Sequence, residues 1–361
     1  MKKDARCISA MRARLLEWYD VNQRTMPWRS HPEPWAVWVS EIMLQQTRVE
    51  SVIDYFHRFM ERYPTPQALA DSDQDELMGY WAGLGSYARA RNLHRAASQV
   101  VAEHGGQVPD DPVAFAALSG IGRYTCGAVQ SIAFGRPLSV VDGNVIRVLA
   151  RLDYVLESPK SARVKAAFWA RADALLDHSR PGDFNQALME LGATVCTPRK
   201  PKCLLCPLNE SCLALQETNP EELPIRESRK KRPTLTRLAV LSQNQEGQIW
   251  LARRPANGLL GGLWALPSLP TEDPADLASL GVILTDETVT VEHAFTHQIW
   301  HMTAYVSEGV PSGGEFEAYR AFSLKDIAEL GVAGPSLKAM RKMGLDIPHR
   351  RGAGKAIKKK A

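Results

Sequence analysis

Apolar residues recur every three or four positions along the first part of the chain. Segments such as MRARLLEWYDV and VESVIDYFHRFMERY show this spacing, which predicts amphipathic helices. The same pattern recurs in YARARNLHRAASQVVAEH, CGAVQSIAFG and VKAAFWARADALLDH, and short breaks rich in Pro, Gly and Asp separate these segments. We therefore predict an all-α domain over residues 1–216.

The pattern changes after the polar, proline-containing stretch QETNPEELPIRESRKKRPT, which we interpret as a linker over residues 217–234. Beyond it, LTRLAVLSQ, QIWLARR and HQIWHMTAYVSE have the composition of strands, and SLKAMRKMG that of a helix. We predict a multidomain protein in which an α+β domain spans residues 235–346 and a basic tail spans residues 347–361.

Bulk composition constrains this picture only loosely. The chain has 361 residues, 45% of them hydrophobic, and a net charge of +4, which permits an anionic partner without requiring one. It contains no apolar run of about 18 residues, as a membrane-spanning helix would require, and its first residues are charged and amphipathic. We expect a cytoplasmic (intracellular) protein that does not associate with a membrane.

Four of the six cysteines fall in one segment, CTPRKPKCLLCPLNESC, with the spacing C-x6-C-x2-C-x5-C. These are Cys196, Cys203, Cys206 and Cys212. Four thiolates can hold either a tetrahedral zinc ion or a [4Fe–4S] cluster, and the spacing leaves both open. Between the first two cysteines lie three basic residues: Arg199, Lys200 and Lys202. A basic loop held at both ends suits phosphate contact, although these residues could equally be ordinary surface charges.

Two glycines, Gly120 and Gly122, stand in LSGIGRYT, just before a helix that we predict to begin at Thr125. Backbone N–H groups at such a turn can bind a phosphate without a basic side chain. A plain helix-entry turn would look the same, so the motif is informative only together with its surroundings.

The glycine turn, the downstream VVDGNVIRVLAR and the cysteine loop together resemble the helix–hairpin–helix DNA glycosylases of the endonuclease III superfamily. The hairpin would span about residues 114–134. Within that superfamily, PWR, VWVSEIMLQQTRVESVIDYF, WAGLGSYARARNLH and FNQALMELGATVCTPRKPKCLLCP are similar to adenine DNA glycosylases of the MutY type, over about residues 24–216.

This resemblance implies that the four cysteines hold a [4Fe–4S] cluster. It implies a monomeric base excision repair enzyme, associated with the nucleoid, whose partner is double-stranded DNA containing A:8-oxoguanine or A:G mispairs. With such a partner, the phosphate contacts that we predict for Gly120, Gly122 and the basic residues of the cysteine loop would be contacts to DNA.

Tyr124 distinguishes between two modes of action. In the bifunctional relatives this position is a lysine whose amine attacks the sugar and leads to strand cleavage. Because tyrosine cannot form a Schiff base, we predict a monofunctional enzyme that removes a base by hydrolysis and leaves an abasic site. Packing of Tyr124 at the helix start is compatible with the same conclusion.

Two carboxylates have contrasting surroundings. Glu41 lies in the apolar WAVWVSEIMLQQT, where lost hydration would raise its pKa and keep it protonated. Asp142 in VVDGNV precedes a helix, where capping and the helix dipole favour the ionised form. The resemblance makes Glu41 the acid that protonates adenine N7, Asp142 the anion beside the sugar, and Asn144 its hydrogen-bonding helper.

The resemblance also assigns residues that hold the extruded nucleotide. Gln46 would help to fill the gap left in the DNA, and the adenine pocket would be lined by Arg24, Trp28, Arg29 and Gln186. One departure concerns Gly85-Ser86-Tyr87, where the family commonly has Gly-Tyr-Tyr. Serine cannot stack on bases as the first tyrosine does, so lesion discrimination is either weaker here or relies on another side chain such as Tyr87.

In the C-terminal part, GLLGGLWALPSLP and EHAFTHQIW resemble the Nudix-like domain of the MutY-type enzymes. The segment after LWALP lacks the R-E-x-x-E-E array of a Nudix hydrolase, so we expect a recognition domain without pyrophosphatase activity. The resemblance assigns 8-oxoguanine recognition to Phe295, Thr296 and His297. Two other hypotheses remain open: a bifunctional lyase and a non-catalytic DNA-binding module.

Overall fold

A computed structural model describes residues 5–30, 32–225, 227 and 231–348. The described residues form two compact units. The first comprises those within Met1–Ile53, Tyr63–Ala70 and Arg95–Arg229, and the second comprises those within Asp54–Arg62, Asp71–His94 and Lys230–Ala361. Most of the predicted basic tail lies outside the described residues.

Helices account for most of the chain before residue 218. They are α1 Ala5–Asn22, α2 Pro27–Ser30, α3 Pro34–Leu44, α4 Val49–Arg62, α5 Pro66–Ala70, α6 Gln74–Trp81, α7 Ala88–His104, α8 Pro112–Ala116, α9 Arg123–Phe134, α10 Gly143–Leu152, α11 Ala162–Leu175, α12 Pro181–Thr194 and α13 Leu213–Glu217. The five helical segments predicted from apolar spacing are confirmed as parts of α1, α4, α7, α9 and α11.

The core of the first unit is formed by apolar faces of α1, α9, α10, α11 and α12. In α10, Val145, Val148, Leu149 and Leu152 are buried, which is the spacing of one helix face. Gly192 in α12 allows this packing to be close, because a Cβ there would stand 2.7 Å from the Cβ of Asn144. The start of α10 is therefore held directly against α12.

The predicted hairpin joins α8 to α9. The Asp111 side chain caps α8 by accepting the N–H of Ala114. Gly120 has φ +79°, a conformation that glycine adopts without strain. Gly122 is the N-cap of α9, which begins at Arg123, two residues before the predicted start at Thr125. The turn thus ends in a helix N-terminus, as the phosphate-binding hypothesis requires.

The second unit contains two β-sheets and two further helices. The elements are β1 Thr234–Ser242, β2 Ile249–Arg253, β3 Trp264–Ala265, β4 Ser268–Leu269, β5 Ile283–Ala294, β6 Ile299–Glu308, β7 Ala318–Phe322, α14 Leu324–Glu329 and α15 Gly334–Lys342. One sheet has the order β4-β1-β6-β5, in which β1 and β6 run parallel, and the other has the order β3-β2-β7. Apolar residues of both sheets share one core with α14 and α15.

The α+β character predicted for this region is confirmed, and the three predicted strands are β1, β2 and β6. The longest strand, β5, was not predicted. Its sequence ILTDETVTVEHA does contain alternating Val and Thr, a period-2 pattern typical of strands. Within the described part of the chain, no helix is both long enough and apolar enough to cross a membrane.

Gly127 of α9 provides a test of the packing in the first unit. A Cβ at this position would stand 2.3 Å from the backbone oxygen of Ser139. We predict that Gly127→Ala lowers the melting temperature, because overpacking costs about 1–3 kcal/mol and outweighs the helix propensity gain of about 1 kcal/mol. Gly122→Ala is the control, since its Cβ would meet nothing within 4 Å. Equal melting temperatures would contradict the packing described here.

Candidate functional site

A cavity of about 290 Å³ opens in the first unit between α2, α3, α9, α10 and α12. Its volume is close to the lower limit of about 300 Å³ that is usual for small-molecule sites. Nine of the predicted site residues line it: Arg24, Trp28, Arg29, Glu41, Gln46, Tyr124, Asp142, Asn144 and Gln186. The structure therefore brings together residues that the sequence separates by more than a hundred positions.

Glu41 projects from the buried α3 and is itself only 5% exposed. The hydroxyl of Tyr124 donates a hydrogen bond of 2.7 Å to Oε2 of Glu41. Burial raises the pKa of Glu41 to about 7; the bond from Tyr124 lowers it, and the charge of Asp142 raises it. The predicted rise in the Glu41 pKa is thus present, and the carboxyl is poised to hold or release a proton near neutral pH.

Asp142 is the N-cap of α10, as predicted. Its Oδ1 accepts the Val145 N–H at 2.7 Å and its Oδ2 accepts the Asn144 side-chain amide at 2.9 Å. Burial nevertheless raises the pKa of Asp142 above its usual value, against the lowering effect of these bonds and of Arg147. Capping favours the ionised form as predicted, but the loss of hydration in the cavity wall, which the sequence analysis did not consider, outweighs it.

Asn144 is in turn fixed by Arg147. The guanidinium Nη2 of Arg147 donates to Oδ1 of Asn144 at 2.8 Å and to the carbonyl of Gly192 at 2.6 Å. Its Nε donates to the carbonyl of Cys196 at 2.8 Å. Arg147 therefore ties the Asp142–Asn144 pair to the end of α12 and to the first residue of the cysteine loop.

The opposite wall contains a buried carboxylate that the sequence analysis missed, Glu190 of α12, which is 1% exposed. Arg24 donates to Glu190 through Nε at 2.6 Å, and Arg29 donates through Nη2 at 3.0 Å. Nε of Arg29 also donates to Oε1 of Gln186 at 3.0 Å. The sequence does contain a signal for Glu190: it follows Gln186, a predicted pocket residue, at the i, i+4 spacing that places both side chains on one face of the helix.

Gln46 follows the C-terminal end of α3, with an exposed side chain and φ +60°. A glutamine in this left-handed conformation is uncommon and marks a locally strained backbone. Tyr87 lies in the second unit, half-buried, directly after Ser86, which has φ +46°.

The predicted phosphate-contact residues are accessible in the first unit. Gly122 is exposed at the hairpin. Arg199, Lys200 and Lys202 are also exposed. The backbone N–H of Lys200 donates to Oε1 of Glu221 at 2.8 Å, which helps to hold the loop while leaving its cationic side chain on the surface.

The four cysteines of the loop line one small cavity. Nη1 of the buried Arg151 donates to the Cys196 sulfur at 3.3 Å and to the Thr197 carbonyl at 2.8 Å. Among the described residues, no three His, Cys, Asp or Glu side chains converge closely enough to ligate one metal ion. The rest of the lining is largely apolar, with residues such as Val195 and Leu215, so the four thiols are a ligand set of the number and kind that a [4Fe–4S] cluster requires.

The predicted lesion-recognition residues form the turn between β5 and β6 in the second unit. The Phe295 N–H donates to the Gln298 carbonyl at 2.8 Å, closing the turn. Thr296 and His297 are exposed at its tip, and the Phe295 ring packs against Trp300 with centroids 5.0 Å apart.

Three family models match parts of the chain. Residues 39–173 match the HhH-GPD superfamily of base excision DNA repair proteins, and residues 238–342 match the NUDIX domain. Residues 196–212 match the iron-sulfur binding domain of endonuclease III. The last match covers all four loop cysteines, so the predicted iron–sulfur cofactor is confirmed.

Relatives with curated names agree with these models. The chain is 39% identical over 328 residues to the human adenine DNA glycosylase, covering 76% of this chain and 60% of that protein. It is 30% identical over 335 residues to the adenine DNA glycosylase of Buchnera aphidicola subsp. Acyrthosiphon pisum, covering 90% of this chain and 95% of that protein.

Among solved structures, a thermostable thymine-DNA glycosylase is similar with a TM-score of 0.54 and 29% identity, over 59% of this chain and 98% of that one. The match covers nearly all of that structure but 59% of this chain, whereas the match to the Buchnera relative covers 90% of this chain. From its domains and its relatives, we conclude that the chain belongs to the adenine DNA glycosylase family of HhH-GPD base excision DNA repair proteins.

Proposed function

We propose that this protein is a monofunctional adenine DNA glycosylase that flips adenine out of A:8-oxoguanine or A:G mispairs and hydrolyses its N-glycosidic bond. One observation carries this proposal. Glu41, with a pKa of about 7, and the capped Asp142 line the same nucleobase-sized cavity. Cleavage of a glycosidic bond needs a proton donor for the leaving group and an anion near the sugar, and these two groups can supply both.

Glu41 is the general acid. In its neutral form the carboxyl transfers a proton to N7 of the extruded adenine, so that the base leaves without developing negative charge. The Tyr124 hydroxyl donates to Glu41 Oε2 and keeps that oxygen occupied, which leaves the other oxygen to carry the proton toward the base. After departure of the base, the carboxylate can accept a proton from the attacking water.

Asp142 is the anion beside the anomeric carbon. As the C1′–N9 bond breaks, positive charge develops on the sugar, and the carboxylate stabilises it by charge or by a transient covalent bond. The hydrogen bonds from Val145 and Asn144 fix the carboxylate and favour its ionised form. Water then adds to the anomeric carbon, so the products are free adenine and an abasic site.

We assign recognition of the adenine base to the side of the cavity that contains Glu190. The buried Glu190 orients Arg24 and Arg29, and Arg29 orients Gln186, so the polar edge of the pocket is preformed. The buried Trp28 supplies an apolar surface for the purine ring. A site organised in this way rejects bases that leave its polar groups unpaired.

DNA contact is assigned to the hairpin N–H groups near Gly120 and Gly122 and to the basic side chains of the cysteine loop, with Gln46 filling the gap left by the flipped base. The hairpin suits this role because its exposed backbone precedes a helix N-terminus. Cys196, Cys203, Cys206 and Cys212 would hold the [4Fe–4S] cluster, which fixes the loop that presents Arg199, Lys200 and Lys202. We propose that the enzyme acts as a monomer.

For the second unit we propose 8-oxoguanine recognition by the turn at Phe295, Thr296 and His297. Its exposed tip, which carries a hydroxyl and an imidazole, supports this role. Ser86 replaces a stacking tyrosine of the family, and Tyr87 is the candidate to take over its contact with the mispair.

The first prediction concerns the reaction itself. Duplexes with A opposite 8-oxoguanine, A opposite G, or a damaged pyrimidine are incubated with the protein and analysed with and without hot alkali. We expect strand breaks at the adenine only after alkali. Glu41→Gln should lose excision by at least about a hundredfold while still binding the mispair, and Glu61→Gln, an exposed glutamate of α4, should behave as wild type.

Other outcomes of this assay would contradict the proposal in distinct ways. Breaks without alkali would indicate a lyase, and the absence of any alkali-labile site would indicate a non-catalytic binding module. If Glu41→Gln abolished binding as well, Glu41 would be a structural residue.

The second prediction concerns stability against pH. The Glu41 pKa is about 7 in the folded protein against 4.5 for an unperturbed glutamate. Above the pKa of the unfolded state, the folded protein must either bury a charged carboxylate or hold a proton that the unfolded chain would release. The contribution of Glu41 to stability therefore falls as the pH rises from the unfolded-state pKa to the folded-state pKa. Glu41→Gln avoids this cost, so its free energy of unfolding relative to wild type should rise by about 1–3 kcal/mol between about pH 5 and pH 8, and its melting temperature relative to wild type should rise with it. A pH-independent difference would contradict the assignment.

The third prediction concerns the lesion. We expect Thr296→Ala to slow excision of A opposite 8-oxoguanine about two- to tenfold, the equivalent of one hydrogen bond, and to leave A:G excision unchanged. Thr288→Ala removes an exposed threonine hydroxyl from β5 and is the matched control. Equal losses on both mispairs would argue against lesion recognition by this turn.

A further inference from the structure

Two arginines of the second unit approach a single buried tryptophan. The guanidinium carbon of Arg237 lies 4.6 Å from the ring centroid of Trp300, and that of Arg254 lies 5.8 Å from the same centroid. Trp300 is 4% exposed, and both arginines are half-buried. Two like charges are thus held near one apolar ring inside the domain.

Strand geometry places this cluster at one end of the domain core. Arg237 precedes the core residue Ala239 by two positions on β1, and Trp300 precedes the core residue Met302 by two positions on β6. Positions two apart on a strand share a face, so Arg237 and Trp300 face the core side of the sheet. Arg254 follows β2 of the other sheet directly. The three side chains therefore meet where the two sheets end.

The charges of this cluster are not neutralised. Among the described residues, neither Arg237 nor Arg254 forms an ion pair; Nη2 of Arg237 donates to the Ser268 carbonyl at 3.3 Å and Nε of Arg254 to the Leu259 carbonyl at 3.3 Å. Burial and, to a smaller extent, the charge of Arg254 together lower the pKa of Arg237 to about 10. A guanidinium over an aromatic ring gains about 0.5–2 kcal/mol, which is less than the cost of burying an unpaired charge.

Donor groups at the same place also lack acceptors. Within the described part of the chain, Nε of Arg237 and Nε1 of Trp300 are buried and have no hydrogen-bond partner. Buried N–H groups are almost always paired in folded proteins. Two cationic groups and two free N–H donors in one cluster form a set that an anion with several oxygens would satisfy.

We propose that Arg237, Arg254 and Trp300 form a phosphate-binding site in the Nudix-like domain. Arginine binds phosphate oxygens in a planar, bidentate manner, and its weak hydration suits a half-buried site. The ligand is a phosphate group carried either by a DNA strand or by a free nucleotide or phosphate ion. The Phe295 ring, which belongs to the proposed lesion turn, packs on Trp300 and borders the site. This proposal is independent of the excision chemistry of the first unit.

The test uses the full-length protein and the variants Arg237→Met and Arg254→Met. Arg320→Met is the matched control, because Arg320 also lies over an aromatic ring, 5.2 Å from the Phe322 centroid, but on the exposed surface of the same unit. Inorganic phosphate is titrated in a calorimeter and in thermal unfolding. We expect both cluster variants to bind phosphate at least about tenfold more weakly and to lose part of its stabilising effect, whereas wild type and Arg320→Met respond alike. Arg237→Lys, which keeps the charge, should bind with intermediate affinity.

A second arm distinguishes the source of the phosphate with a duplex carrying an A:8-oxoguanine mispair. If the ligand is a DNA phosphate, both cluster variants bind the duplex more weakly, with a salt dependence reduced by about one phosphate contact. If it is free, duplex affinity is unchanged and phosphate still binds the duplex-saturated protein. The proposal is overturned if the cluster variants match Arg320→Met in both phosphate response and duplex affinity. Each variant is checked by circular dichroism, and the two arginines are tested separately so that misfolding of one leaves the other informative.

Discussion

The burial of the Glu41 carboxyl is the constraint on which the candidate site depends. A carboxyl on a helix that is buried throughout residues 35–43 cannot ionise cheaply, so its pKa reaches about 7. The fold must nevertheless leave the group accessible to a base. It does so by placing Glu41 at the floor of an open cavity, where the Tyr124 hydroxyl replaces one hydrogen bond that water would make. One arrangement of α3 and α9 thus shields the Glu41 carboxyl from water and leaves it accessible to a nucleobase.

Among the described residues, the Asp142 carboxyl is held by hydrogen bonds at the start of α10 and not by an ion pair. Asp142 receives N–H groups at the start of α10, and the close approach of Gly192 to Asn144 fixes where α10 begins. Arg147 then connects Asn144 to the carbonyl of Cys196. A cluster-bearing loop held in place by its cysteines therefore also steadies the carboxylate, through one side chain and without any direct contact between the two.

The parts of this site that could be predicted are those whose cause is local in sequence. The apolar neighbours of Glu41 and the helix start after Asp142 are visible in a few residues, and the family resemblance supplied their roles. The role of Glu190 could not be predicted because it depends on contact with Arg24, which lies 166 positions away in the sequence. The raised pKa of Asp142 was missed for the same reason: capping is local, whereas desolvation depends on how α3, α9 and α12 enclose the cap.

Three arrangements of buried or half-buried arginine in this chain differ in how the positive charge is compensated. Arg24 and Arg29 share the buried carboxylate of Glu190, so their charge is balanced and their effect is to orient the pocket. Arg151 is enclosed by carbonyls and the Cys196 sulfur, where ligand thiolates supply the negative charge when a cluster is bound. Among the described residues, the partners of the Arg237 guanidinium are one carbonyl and an aromatic ring. Arg24 and Arg29 form ion pairs with Glu190, whereas neither Arg237 nor Arg254 has an ion pair among the described residues, and this difference favours an external anion at the latter two.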